Sequence, residues 1–285
     1  MKSLITSLLL VPLMALSLWA QPDRTYPTPP PTRQVHLDFH TSEFIENIGA
    51  RFDKQQFQEA LKLGKLNQIN IFAKGHHSWS YYPTKVGQRH PHLDFDLLGA
   101  QIEACHEIGV KCPIYFTVGW SANDAEQHPE WVNRNPDGSF MVHSDGPYDL
   151  SASPAQVLPN YAWKFLVPVG GYHDLIMRQV EEICQNYEVD GFWFDIYHYV
   201  EEGCYSDECL RLMRRAGVDP KDKQANVDFI TEATKDHMRQ LRKLIEKYYP
   251  DATVYFNPTS RLNLTATISH RLFEANTHQI GRAHV

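Results

Sequence analysis

The chain has 285 residues, a formal net charge of −7 and 42% hydrophobic residues, with charges of both signs interspersed. That composition belongs to a globular chain able to bury a large core. It argues against nucleic acid or an anionic membrane as the main partner, because no basic stripe is present.

Residues 1–20 carry Lys2, an apolar run from Leu4 to Trp19 and then Ala20. This is the layout of a secretory signal peptide, and it predicts a secreted or periplasmic protein with no membrane span after cleavage. Residues 21–33 include Pro22, Pro27, Pro29, Pro30 and Pro31 and read as a semi-rigid linker. From residue 34 to 279, short apolar strands alternate with amphipathic helices, the pattern of βαβ units on a parallel sheet.

Gln34–Phe39 is expected as the first strand, with His36, Asp38 and His40 on one face and Val35, Leu37 and Phe39 on the other. Asp53 followed by Gln56 predicts a capped helix start, and a strand over Gln68–Ala73 follows. Asp96 opens a helix with an apolar stripe of Leu98, Ile102, Cys105 and Ile108. Gly109 stops it before a strand over Cys112–Thr117. Leu175, Ile176, Val180, Ile183 and Tyr187 make the next stripe, leading into Val189–Asp195. Ile230, Leu241, Leu244, Ile245 and Tyr248 mark a further helix. Strands are expected over Thr253–Phe256 and Ile268–Phe273.

The expected fold class is therefore α/β, a (β/α)8 TIM barrel cut short after about six strand units. Residues 280–285 lack periodicity and match the translation of a common sequencing-library adapter, so they read as a non-native tail.

In such a barrel, chemistry sits at the C-terminal ends of the strands. Read with period two, Phe192 and Phe194 face one way while Gly191, Trp193 and Asp195 face the other. Asp195 is the leading catalytic candidate. The long loops after the second and third strands hold His76, His77, Trp79, Tyr81, Tyr82, His90, His92, Trp120 and Trp131. Carboxylates, aromatic faces and neutral hydrogen-bonding groups together suit a sugar. Trp79, Trp120 and Trp193 are candidate stacking residues. His76 and His77 are not at the i, i+4 spacing of a helical zinc motif and lack a placed third ligand, so no metal ligand is assigned. The five cysteines are an odd number. For Cys204 and Cys209, a disulfide, a zinc knuckle and a free pair all remain open.

The set AKGHHSW, YFTVGW and GFWFD, spread over Gln34 to Phe256, resembles the α-L-fucosidases of glycoside hydrolase family 29 and, more closely, family 151. Against the family 29 pattern, Gly75 is inserted, Ser78 replaces Asp and Thr41 replaces Trp. The resemblance implies a retaining enzyme that releases α-L-fucose from an oligosaccharide or glycan, with no organic cofactor. Asp195 would be the nucleophile, and His40, His76 and His77 would hold sugar hydroxyls. Its acid/base partner would stand about 5 to 5.5 Å away. Glu274 is the candidate, with Glu201, Glu202 and Asp145 in reserve. The alternatives are a galactosidase, a non-catalytic carbohydrate-binding barrel or inactive fragment, and a metal-dependent deacetylase using His76, His77 and Asp38. Oligomeric state is open.

Overall fold

The computed structural model describes residues 33–143, 148–149, 156–157, 163–198 and 202–259. Its frame is five parallel strands: β1 (Gln34–His36), β2 (Gln68–Lys74), β3 (Ile114–Thr117), β4 (Gly191–His198) and β5 (Thr253–Thr259). They lie side by side in chain order. Val35 pairs with Ile69, Phe72 with Tyr115, Tyr115 with Trp193, and Phe194 with Phe256. A short strand over Trp79–Ser80 pairs antiparallel with β2 and carries Gln88–Arg89 on its other side.

Among the described residues, six α-helices connect the strands: α1 (Lys54–Leu63), α2 (Leu97–Glu107), α3 (Ala122–Gln127), α4 (Gly170–Asn186), α5 (Asp207–Arg215) and α6 (Lys223–Tyr248). Local chemistry fixes several of their starts. The Asp53 carboxylate accepts from the Gln56 N–H, and Asp96 accepts from the Gly99 N–H. Gly109, at φ 70°, ends the turn after α2 in the left-handed region.

The two faces of the sheet differ. Ile69, Ile71, Ala73, Ile114, Phe116, Phe192, Phe194 and Val254 pack against Leu98, Ile102, Ile176, Val180, Ile183, Leu241 and Ile245 of the helices. Each such large apolar side chain stabilises the fold by about 1.5–3 kcal/mol when fully buried. The opposite face is aromatic and polar: Phe72, Tyr115 and Trp193 pack with Phe39, Phe52 and Phe95, and His36 lies against Tyr115 and Trp193.

Several boundaries differ from expectation. β1 stops at His36 instead of Phe39. The Tyr81 hydroxyl donates to the Phe39 carbonyl and accepts from the Thr41 N–H, taking up backbone groups that a ladder would have used. β3 begins at Ile114 because Pro113 has no N–H and Cys112 gives its N–H to the Asp190 carboxylate. β5 runs on to Thr259.

Among the described residues the sheet is open and does not close into a barrel. The expected strand over Ile268–Phe273 lies outside them, as do the segments expected as signal peptide and tail. No described helix is long and apolar enough to cross a membrane. Cys204 and Cys209 form a disulfide, while Cys105, Cys112 and Cys184 are free and buried.

Candidate active site

Asp195 is placed by the last regular pairing of β4, opposite Thr117. Because Phe192 and Phe194 are committed to the helix side, its carboxylate projects from the aromatic face. The ladder with β5 then shifts between Phe194 and Tyr197, and Ile196 sits at φ 58°. A β-branched residue in the left-handed region is strained, and such strain at a bulge is commonly found where a strand end is being aimed.

Two donors hold the carboxylate. Tyr115 donates its hydroxyl to Oδ2 at 2.5 Å, and the Asn257 side-chain amide donates to Oδ1 at 2.6 Å. Full burial, with the Asp195 charge beside it, pushes the Tyr115 phenol well above its ordinary pKa. It therefore stays protonated and donating. Asp195 is 9% exposed, a carboxylate mostly shielded from solvent.

Beside it, His40 and His76 stack with ring centroids 3.8 Å apart and planes 10° from parallel. Their proton positions follow from their partners. The Thr117 hydroxyl donates to the Trp120 carbonyl at 2.6 Å, so its oxygen can only accept from His76 Nδ1–H, at 2.9 Å. His76 Nε2 is then a lone pair, 4.0 Å from Asp195 Oδ2. Burial first, and the neighbouring His40 and His77 next, hold the His76 pKa well below its ordinary value, so the ring is neutral. His40 is the reverse. Its Nδ1 accepts the His76 backbone N–H at 3.1 Å, so Nε2 carries the proton.

His36 and Asp38 complete this corner. The Asn70 amide meets His36 Nδ1 at 2.8 Å, and His36 Nε2 lies 3.1 Å from Asp38 Oδ1. The imidazole of His40, and then that of His36, hold the Asp38 carboxyl well below the usual carboxylate range despite partial burial. Asp38 is thus an anion at any pH of interest and does not serve as a proton donor.

An aromatic wall stands over the pair. Trp120 and Trp163 are near parallel, 10° apart with centroids at 5.8 Å, and His76 and His77 meet Trp163 edge-on. Burial lowers the His77 pKa to about 4. Trp79 donates its indole N–H to Glu43 at 3.2 Å. Trp193 lies one layer below Asp195, its ring 4.0 Å from that of Tyr255.

The structure thus brings Asp195, His40 and His76 together, with His77 and Trp120 at the rim. Glu274, Glu201 and Asp145 lie outside the described residues. Glu202 is paired with Lys223 at the exposed surface. The sequence reading passed over Tyr115, Thr117, Trp163, Asn257 and Glu43. A period-two extension of the Asp195 face onto its neighbours would have found Tyr115 and Thr117.

Residues 53–196, from the cap of α1 to the residue after Asp195, match the sequence profile of the family described as hypothetical glycosyl hydrolase 6. The chain belongs to that family. No curated protein matches it. Among solved structures, this chain is similar to α-L-fucosidase isoenzyme 2 from Paenibacillus thiaminolyticus. The two share 39% identity at a TM-score of 0.68, over 79% of this chain and 32% of that one. The chain therefore spans about a third of that relative's length. The glycoside hydrolase domain of PgaB (BpsB) from Bordetella bronchiseptica is 15% identical at a TM-score of 0.49, over 79% of this chain and 64% of that one. That likeness is too distant to bear on the site.

Proposed function

We propose that this member of the glycosyl hydrolase family is a retaining exo-glycosidase that releases α-L-fucose from glycans, with Asp195 as nucleophile. The observation that carries the reading is the Asp195 carboxylate, fixed by Tyr115 and Asn257 on the aromatic face of the sheet beside two stacked imidazoles. One imidazole offers a donor, His40 Nε2–H, which lies 3.7 Å from Asp38 Oδ1, and the other an acceptor, the His76 Nε2 lone pair. That pair suits neighbouring hydroxyls of a sugar, one accepting and one donating. The Trp120 and Trp163 rings supply an apolar wall.

In the proposed reaction Asp195 attacks the anomeric carbon as the glycosidic bond breaks, and an acid protonates the leaving oxygen. Water, deprotonated by the same group, then releases the sugar with its original configuration. Glu274 is the proposed acid/base. The parallel strands, neighbours in chain order, are proposed as a sector of a (β/α)8 barrel, which places Asp195 at the catalytic end of β4. Export through residues 1–20 is part of the same proposal, and the Cys204–Cys209 disulfide fits an oxidising compartment.

The test is turnover of aryl α-L-fucosides beside aryl galactosides by the full-length chain, with the product anomer followed by NMR. Fucoside turnover with retention, abolished in Asp195→Asn while ligand binding persists, is the expected result. Turnover of galactosides alone removes fucose from the proposal. Sugar binding without turnover in the parent removes catalysis.

A further inference from the structure

At the other end of the sheet, three unlike ligand atoms meet below the N-terminal ends of β3 and β4. His106 Nε2, in the last turn of α2, is 2.8 Å from Asp190 Oδ2, just before β4. The sulfur of Cys112, just before β3, lies 3.5 Å from His106 Nε2 and 3.6 Å from Asp190 Oδ2. All three side chains are buried: Cys112 is 1% exposed, and the side chains of His106 and Asp190 are 8% and 3% exposed.

The His106–Asp190 hydrogen bond forms one side of this triangle, and the Cys112 thiol donates to Asp190 Oδ2 along a second, with the Cys112 backbone N–H on the same oxygen. The sulfur also stands within hydrogen-bond reach of His106 Nε2, so the three ligand atoms converge on one point. Around a tetrahedral zinc ion, with zinc–sulfur bonds of about 2.3 Å and zinc–nitrogen and zinc–oxygen bonds of about 2.0–2.2 Å, the sulfur stands about 3.6 Å from each of the other two ligands. The nitrogen and oxygen stand about 3.4 Å apart. Two observed sides already match, and the third opens by about 0.6 Å when the ion replaces the proton now shared between His106 and Asp190.

The geometry points to a zinc site formed by Cys112, His106 and Asp190, distinct from the sugar site and structural in role. Thiolate, imidazole and carboxylate together are a zinc ligand set, whereas calcium and magnesium prefer oxygen alone. The ion would tie the end of α2 to the starts of β3 and β4, on the order of 15 Å along β4 from Asp195. The three ligand atoms all lie within 4.8 Å of one another, and Cys105, fully buried in the same last turn of α2, lies outside that group. Binding balances as one zinc ion taken up and the Cys112 thiol proton released, while His106 turns to its Nδ1–H tautomer. Affinity therefore rises with pH.

The full-length protein, purified without chelator, is loaded with zinc chloride, freed of unbound metal and assayed for zinc by mass spectrometry. In parallel it is titrated with cobalt(II) and followed by absorption. The expected result is about one zinc per chain, a thiolate-to-cobalt charge-transfer band, and affinity more than about a hundredfold weaker in Cys112→Ser. His106→Gln, nearer the surface, gives the same loss if Cys112→Ser does not fold. The inference is overturned if the parent retains no zinc, or if cobalt binds with no thiolate band, as it would on the histidines beside Asp195. Band and stoichiometry surviving in either folded variant also overturn it. These readouts do not depend on glycosidase activity.

Discussion

At the scale of single residues, the site is a set of fixed proton positions, and Thr117 sets one of them. Its hydroxyl gives its only proton to the Trp120 carbonyl, which forces His76 to present a lone pair toward Asp195. Thr117→Val keeps the shape but removes the acceptor for His76 Nδ1–H, so the ring is free to carry its proton on Nε2 and turn it onto the nucleophile. kcat on an aryl α-L-fucoside is expected to fall about 10- to 100-fold, a magnitude typical of lost orienting partners, with a smaller change in KM. Thr117→Ser should restore most of it. Nitrogen-15 NMR of His76 reads the tautomer directly, and an unchanged tautomer in the valine variant would refute the assignment. Tyr115→Phe tests the other side of the carboxylate. Its loss strips Asp195 Oδ2 of a charge-assisted hydrogen bond, worth about 1.5–3 kcal/mol in general, so kcat should fall while the fold survives. Circular dichroism and kcat together check this.

At the scale of elements, the pairing of β4 with β5 positions Asn257, and Gly191 permits it. A Cβ at Gly191 would collide with the carbonyl oxygen and hydroxyl of Thr253. Gly191→Ala is therefore expected to destabilise by about 1–3 kcal/mol, as overpacked sites do, and to lower activity by drawing Asn257 away from Asp195. A thermal melt with an unchanged midpoint would show that the strands part freely. This element level is where the sequence was most informative. The caps at Asp53 and Asp96 and the helix stripes could be read directly, because they are local and their spacing repeats. The alternation in β4 assigned Asp195 to the face away from the helices for the same reason. What could not be read was anything set by register between strands. Tyr115 and Asn257 reach Asp195 only because β3 and β5 flank β4 in the observed pairing, and the bulge after Phe194 breaks the alternation that would have led onward. The early stop of β1 was hidden too, since it depends on Tyr81 arriving from a distant loop.

At the scale of the whole molecule, buried neutral histidines dictate how stability responds to acid. Burial lowers the pKa of His36, His76, His77, His90 and His237, with neighbouring histidines adding to the effect for each. For His77 the value is about 4. In the unfolded chain each would titrate near its ordinary value of about 6.5. Between those limits the unfolded state binds more protons than the folded one, so stability rises with pH across the window. It should be level above about pH 6.5 and fall as pH drops toward 4, with a slope of about 1.4 kcal/mol per pH unit for each histidine that stays neutral. The depressed Asp38 adds the same sign at lower pH, below its unfolded value. Urea melts between pH 7.5 and 4.5 should show a falling midpoint that corresponds to uptake of at least two protons on unfolding. His237, fully buried in α6 with Nδ1 2.7 Å from that of His173, isolates one of them away from the sugar site. His237→Gln should shallow the slope by about one proton, whereas Asp195→Asn should leave the slope through pH 5–6 nearly intact. A midpoint that holds steady down to pH 4.5 would mean that these rings already carry their protons in the folded protein. Below about pH 6.5 His76 could then no longer offer a lone pair to a sugar hydroxyl.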